Sequence, residues 1–414
     1  MRTVNYSEVL QLLSELAGIP YADLPTATAL TYRGALSRYF RKAWEVEYWP
    51  ELTRTDQRYY RPVWAAGTTY AAGTEVFFKG NGAASQSYFQ SLRTGMPLTV
   101  SSLNQVGTTV TAVTSAAHSL VTGDWVTITG ASPTDYNLTA PITRTSATAF
   151  TYAIVGSPVG PIGGTIRCSP NPESSTGTTC LGWWHPCQAS YSGSVWALAT
   201  AFVAGDVVYY AVNDTYYACH TASTGNLPTD TASFGALTVF DKYVGYTQTG
   251  FTAIGDVRDV YTKNPLVNKT YATSNWTLSQ NGVQVPNGPN VVWLEYRTRF
   301  APLIGSDWAS GTSYAVGDQV LYNSSGSIKN FYTCIQATSS VAPSNTAYWT
   351  ILEIPYLFQP YMVHGAFADV LRMDGQMDKA AQQERLAEQY LEIEAAKLFN
   401  LQPQQQRMDM SAAY

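Results

Sequence analysis

Four histidines, five cysteines and a few acidic pairs are the side chains here whose types suit acid–base, nucleophilic or metal chemistry. His118, His185, His220 and His364 stand far apart, and none has a Cys or Asp partner at a metal-site or catalytic spacing. His118 falls in a turn-like stretch and reads as a turn-stabilising residue. Asp256 and Asp259 are a carboxylate pair, but in a turn-rich segment where capping or solvation is expected. Cys168, Cys180 and Cys187 lie close in sequence, Cys219 and Cys334 stand apart, and no CxxC occurs. Buried free thiols are the expectation, with a Cys180–Cys187 bridge open to the chain in an oxidising exterior. The motifs HExxH, GxSxG and GxxxxGK[ST] are absent, as is a GxGxxG leading into a helix. The expectation is a protein that is not an enzyme, with no catalytic residue, no metal and no cofactor.

The remaining chemistry is aromatic. Aromatic residues make up 13% of the 414, with Trp 11 and Tyr 29, and charged residues also only 13%, about half the usual share of about 25%. Three stretches repeat: VWAAGTTYAAGTEVFF from Val63, VWALATAFVAGDVVYY from Val195 and DWASGTSYAVGDQVLY from Asp307. Trp64, Trp196 and Trp308 open them. Tyr70, Phe202 and Tyr314 follow six residues on, and Gly73, Gly205 and Gly317 nine residues on. Two short strands are expected in each, the second being Tyr88–Gln90, Tyr216–Cys219 or Phe331–Cys334. A closing aromatic follows at Trp183 or Trp184, at Phe234 and at Trp349. A unit this small buries little core, and large aromatics compensate, burying 150–250 Å² each. Trp64, Tyr70, Trp196, Phe202, Trp308 and Tyr314 are expected as module cores. Trp183, Trp184, Tyr322 and Trp349 are expected as exposed rings able to stack on sugars.

The positioning elements are strands in the middle and helices at both ends. Five charged residues occupy 101–200, which is rich in Thr, Ser, Gly, Val and Tyr, whereas 359–410 carries thirteen. The spacing predicts helices over Tyr6–Ala17, with Asn5 or Ser7 as cap, and over Thr26–Trp49, where Leu36, Phe40, Ala43 and Trp44 share a face. Arg33, Arg38, Arg41 and Lys42 lie on another face, solvated or set against an acidic neighbour. Two more helices are expected over Pro360–Met373 and Asp378–Leu398, with Leu386, Tyr390 and Ile393, and Leu391, Ala395 and Leu398, as packing positions. The first eighteen residues lack a signal-peptide pattern, so cytosolic synthesis is expected. No apolar run reaches the ~18 residues of a membrane span. Net charge is −5, which disfavours nucleic acid as the main ligand.

The pattern W-x5-Y-x2-G-D-x-V-x-Y, then Y-x-C, a Pro and a closing Trp resembles small chitin-binding (carbohydrate-binding) modules of chitinases and phage structural proteins. The third copy fits best, with Gly317-Asp318, Val320, Tyr332, Cys334, Pro343 and Trp349; the second has Phe234 for the closing Trp, and the first has Thr74-Glu75 in place of Asp. The first is also interrupted by 99–168, which resembles a small β domain of phage virion proteins. The chitinase carboxylate run DxxDxDxE is absent, and weak or no glycan affinity is expected.

The order of helix pair, β segment 241–302 with VWLEYRTRFAPL, inserted module, acidic helix pair and QPQQQRMDMSAAY tail resembles tailed-phage neck proteins of the head-to-tail adaptor (head completion) class. That resemblance implies a virion protein assembled in the host cytoplasm as a ring, commonly of twelve copies. It would sit between portal and tail or nozzle protein, enclosing DNA without sequence-specific binding, with no membrane contact. The tail, through Gln402, Arg407, Met408, Met410 and Tyr414, would dock on the portal. The alternative is a tail fibre or receptor-binding protein recognising host glycans.

The expected fold class is α+β multidomain. A helical adaptor core would comprise 1–60, the β part 241–302 and 354–401. The β-rich middle would hold a first module at 61–98 and 169–190, the insert 99–168, a second module at 191–240 and a third at 303–353. Residues 402–414 would form the docking arm.

Overall fold

The computed structural model describes residues 2–80, 86–156, 158, 162–267, 273–325 and 328–401. The expected 402–414 arm lies outside them. The architecture is α+β, with a β-rich middle and helices toward both ends. The chain divides into two compact units: 1–54, 254–256 and 296–414, and 55–253 with 257–295.

In the first unit, α1 (Tyr6–Leu16) buries Val9, Leu10 and Leu13, and Gly18 ends it at φ +74. Asn5 occupies the N-cap, yet its side chain bonds Glu8 rather than a free backbone N–H. The Ser7 N–H donates instead to Asn330 Oδ1 at 2.9 Å, from a strand 323 residues away. Helix α2 (Thr26–Val46) buries Leu36, Phe40, Ala43 and Trp44. On its basic face Arg33 reaches the Gly305 carbonyl, Arg38 Asp369 and Arg41 Glu45, with Arg38 and Arg41 still mostly solvent-exposed.

Helices α3 (Gln359–Met373) and α4 (Met377–Leu401) are separated by Gly375 at φ +76. In α4 the buried positions are Ala380, Ala387 and Leu391, while Tyr390 and Ile393 are 38% and 55% exposed. The expected Leu386–Tyr390–Ile393 row is thus the wrong side of the helix. Small residues let α4 approach α3 closely, and a scan for large apolar residues passes over them.

Both chain ends contribute to one core. Leu13, Leu36, Phe40 and Trp49 pack with Phe358, Met362, Ala366 and Ala387, and Thr3–Asn5 pairs antiparallel with Glu353–Pro355. The third repeat also falls in this unit, while its Val320, Cys334 and Trp349 form a small cluster of their own. Its Phe331 joins the helical core, with the Tyr6 ring 4.9 Å away edge-on. Conversely, most of 241–302 falls in the other unit.

All three repeats build the same small sheet. Glu75–Phe78, Ser87–Ser91 and Trp184–Pro186 pair antiparallel in that order, as do Val207–Tyr210, Thr215–Cys219 and Phe234–Ala236, and Gln319–Ser325, Ile328–Cys334 and Trp349–Ile351. A lead segment runs parallel beside each first strand, as Val63 opposite Phe77, Ser194–Val195 and Ser306–Asp307. Gly73, Gly205 and Gly317 have φ +84, +100 and +97, so only glycine enters this turn without strain. Their N–H groups donate to Ser91, Cys219 and Cys334 carbonyls, each at 2.8 Å.

The insert is a closed barrel. Leu98–Val106, Thr109–Thr114 and Ala149–Ala153 continue one another, as do Leu98–Val106, Arg167–Pro170 and Trp125–Thr129. The run 139–144 closes it, pairing with Trp125–Thr129 through Thr139–Pro141 and with Ala149–Ala153 through Thr143–Arg144. Val110, Val126, Ile128, Phe150 and Tyr152 fill the inside.

Candidate functional site

The aromatic residues fall into two sets: Tyr70, Phe202 and Tyr314 belong to the module cores as expected, whereas the tryptophans depart from expectation. Trp183, Trp184 and Trp349 are 1%, 0% and 1% exposed, so they offer no ring face to a sugar. Each indole N–H donates inward, to the carbonyls of His118, Pro170 and Val341 at 2.8, 2.9 and 2.9 Å. The closing aromatic meets the one six residues after the opening Trp: Tyr70–Trp184 at 5.6 Å, Phe202–Phe234 at 6.0 Å and Tyr314–Trp349 at 5.3 Å, all edge-to-face. A closing residue completes the third strand of a tiny sheet, where it is covered on both sides.

The opening tryptophans are only half-buried. Each stands edge-on to the aromatic fourteen residues later: Trp64–Phe78 at 5.5 Å, Trp196–Tyr210 at 5.8 Å and Trp308–Tyr322 at 5.6 Å. Tyr322 is thus the one expected platform residue that keeps open surface. The fourteen-residue offset was readable in the repeats, and marks this second pair.

The cysteines serve the turns. Cys219 and Cys334 thiols donate to the Thr221 and Gln336 carbonyls at 3.2 and 3.1 Å. In the first copy the Ser91 hydroxyl does this, donating to Arg93 at 2.9 Å. Burial holds the Cys219 thiol up at about 11. It raises Cys168, Cys180, Cys187 and Cys334 as well, so the protonated, weakly nucleophilic form dominates. All five cysteines are free. Cys180 sits by Asp124 and Cys168, whereas Cys187 sits by Glu75 and Arg61.

His118 Nδ1 accepts from the Leu120 N–H at 3.0 Å, a bond that shapes its turn. Burial lowers the imidazole pKa of His118 and His185. His220 falls to about 4, through burial and then the Arg93 charge. Asp256 and Asp259 lie in the strand Ile254–Tyr261, not in a turn. Asp256 holds Arg297 through two guanidinium nitrogens, and Arg297 also donates to the Trp44 carbonyl at 2.8 Å. That ion pair fastens the end of α2. Among the described residues no group of three His, Cys, Asp or Glu could hold a metal, and no helix is long and apolar enough to cross a membrane.

The helical unit carries an open groove of about 810 Å³. The end of α1, the first turns of α2 and the α3–α4 turn line it, through Leu16, Ile19, Thr31, Phe367, Met373 and Gln383 among others. Sequence reading missed it because its walls come from four helices. Compared with protein-family models, curated proteins and solved structures, the chain matches none.

Proposed function

We propose that this chain is a non-catalytic structural protein of a tailed-phage virion, a head-to-tail adaptor that forms a ring of about twelve copies between portal and tail. The observation that carries this reading is the joining of both chain ends in one four-helix core, with the β-rich middle inserted between them. Such a core presents helix faces for side-by-side contact, as ring subunits need. The aromatic repeats act as surface decorations with weak or no glycan affinity. The segment 402–414, with Gln402, Arg407, Met408, Met410 and Tyr414, is the docking arm, which the adaptor resemblance sets on the portal and which the groove of the helical unit would hold instead. DNA passes through the ring without sequence-specific contacts, as suits a chain of net charge −5.

The second reading, a receptor-binding fibre protein recognising glycans, draws on the half-open Trp196 and Trp308 with Tyr210 and Tyr322. Mass photometry and negative-stain images of the purified full chain separate the two. A ring near twelve times the 45.2 kDa chain mass is expected. A rod-shaped trimer would replace the adaptor reading with the fibre one.

A further inference from the structure

The groove of the helical unit has a buried floor and an apolar rim. Tyr32 and Leu371 are buried in it, while Leu16 and Met373 are 42% and 63% exposed. Leu12, one turn before Leu16, is 40% exposed and extends the same α1 face. Thr28, Thr31, Gln382 and Gln383 add hydrogen-bonding groups to the lining, and Asp374 and Lys379 add one charge of each sign.

We propose that this groove seats the C-terminal segment 402–414 of a neighbouring copy, so that each subunit grips the next. The inference rests on the ring reading above and names the contact that would close it. Two observations support it.

The first is chemistry. Met408 and Met410 flank Asp409, and Arg407 precedes them. The flexible thioethers suit an irregular apolar slot beside the Tyr32 and Phe367 rings. Arg407 and Asp409 complement Asp374 and Lys379. The glutamines 404–406 find amide and hydroxyl partners on the wall.

The second is reach. Helix α4 begins at the groove, where Gln382 and Gln383 line it, and runs 25 residues to Leu401. From Lys379 to Leu401 the helix rises ~33 Å at 1.5 Å per residue. Met408 and Met410 lie seven and nine residues beyond Leu401, which spans at most ~24 and ~31 Å of fully extended chain. Gln383, the groove residue of α4 nearest its end, still lies ~27 Å from Leu401 along the helix, so Met408 falls short of the groove of its own copy and meets it on another.

The test places the photo-cross-linker benzoylphenylalanine at position 408 of the full-length protein. After irradiation, a band of twice the chain mass on a denaturing gel reports a link between copies. Peptide mapping is expected to find it at residues 16–32 or 367–383. A link within one copy, a link elsewhere on the chain, a link only to a co-purifying protein, or no link overturns the proposal. A second variant, Thr31→Arg, fills the groove from an exposed position whose hydroxyl bonds only within α2. It is expected to cut the inter-copy band at least tenfold with an unchanged circular dichroism spectrum; an undiminished band overturns the proposal. A trimer joined by these links would keep the seat and remove the ring. A twelve-copy ring without them would remove the seat and keep the ring.

Discussion

Trp349 and Trp308 occupy the same repeat and differ in what surrounds them. Trp349 is buried, edge-on to Tyr314, with its N–H bonded to Val341. Trp308 is half-covered and packs mainly on Tyr322. Removing a buried aromatic leaves a cavity and strands its partners, which costs about 3–5 kcal/mol for Trp→Ala. Trp349→Ala should therefore destabilise the protein by that much and Trp308→Ala by about half, since the cost scales with the area removed from water. Urea titrations followed by far-UV circular dichroism would measure both. The reverse ranking would return Trp308 to the core and Trp349 to the surface. The sequence places both residues in one aromatic module but does not say which ring is covered. Coverage depends on the third strand, whose pairing is set by Ser91, Cys219 and Cys334 turning the chain after the second. A Ser in one copy and Cys in two hides that equivalence until the shared hydrogen bond is seen.

At the scale of elements, helices and strands were legible because their apolar periods are strong. The closeness of α2 to α3 was not, because it rests on one missing side chain. A Cβ at Gly365 would fall far inside van der Waals contact with the Tyr39 ring. Tyr39 is 5% exposed and sits edge-on to Tyr361 at 5.4 Å, so the ring has nowhere to move. In an isolated helix Gly→Ala stabilises by about 1 kcal/mol, whereas overpacking a core costs typically about 1–3 kcal/mol, occasionally more. The clash wins, and Gly365→Ala should lower stability by a net ~1–2 kcal/mol. A shift of the urea midpoint to lower concentration with an unchanged slope is the expected outcome. A shift upward would mean that α2 and α3 are farther apart than described. The N-terminal cap was hidden for a related reason. Asn5 and Ser7 were the local candidates, but Asn330 supplies the acceptor from the far end of the chain, and no local pattern encodes that.

Across the whole molecule the few titratable groups are unevenly shared. His118, His185 and His220 all lie in the unit formed by 55–253 with 257–295, and each is 5% exposed or less. Burial holds all three below the ordinary imidazole value of 6.5, His220 at about 4. The unfolded chain therefore takes up protons before the folded one does. The stability tied to these residues is complete above pH 6.5 and is lost as pH falls from there toward 4. Asp124 and Glu173 act in the opposite sense, because burial raises their carboxyls. Their protonation begins above the ordinary carboxylate range of about 4 and offsets part of the loss that the three histidines cause. Hydrogen exchange at pH 7 and 5, corrected for the intrinsic pH dependence of exchange, should show lost protection in Trp125–Thr129 and Thr215–Cys219. Protection in α1 and α3 should change little, because none of these three buried rings lies in their unit. His220→Gln should blunt the loss in Thr215–Cys219 by removing the largest single proton uptake. Uniform loss across both units would show that acid acts through the net charge of the chain rather than through these three buried rings.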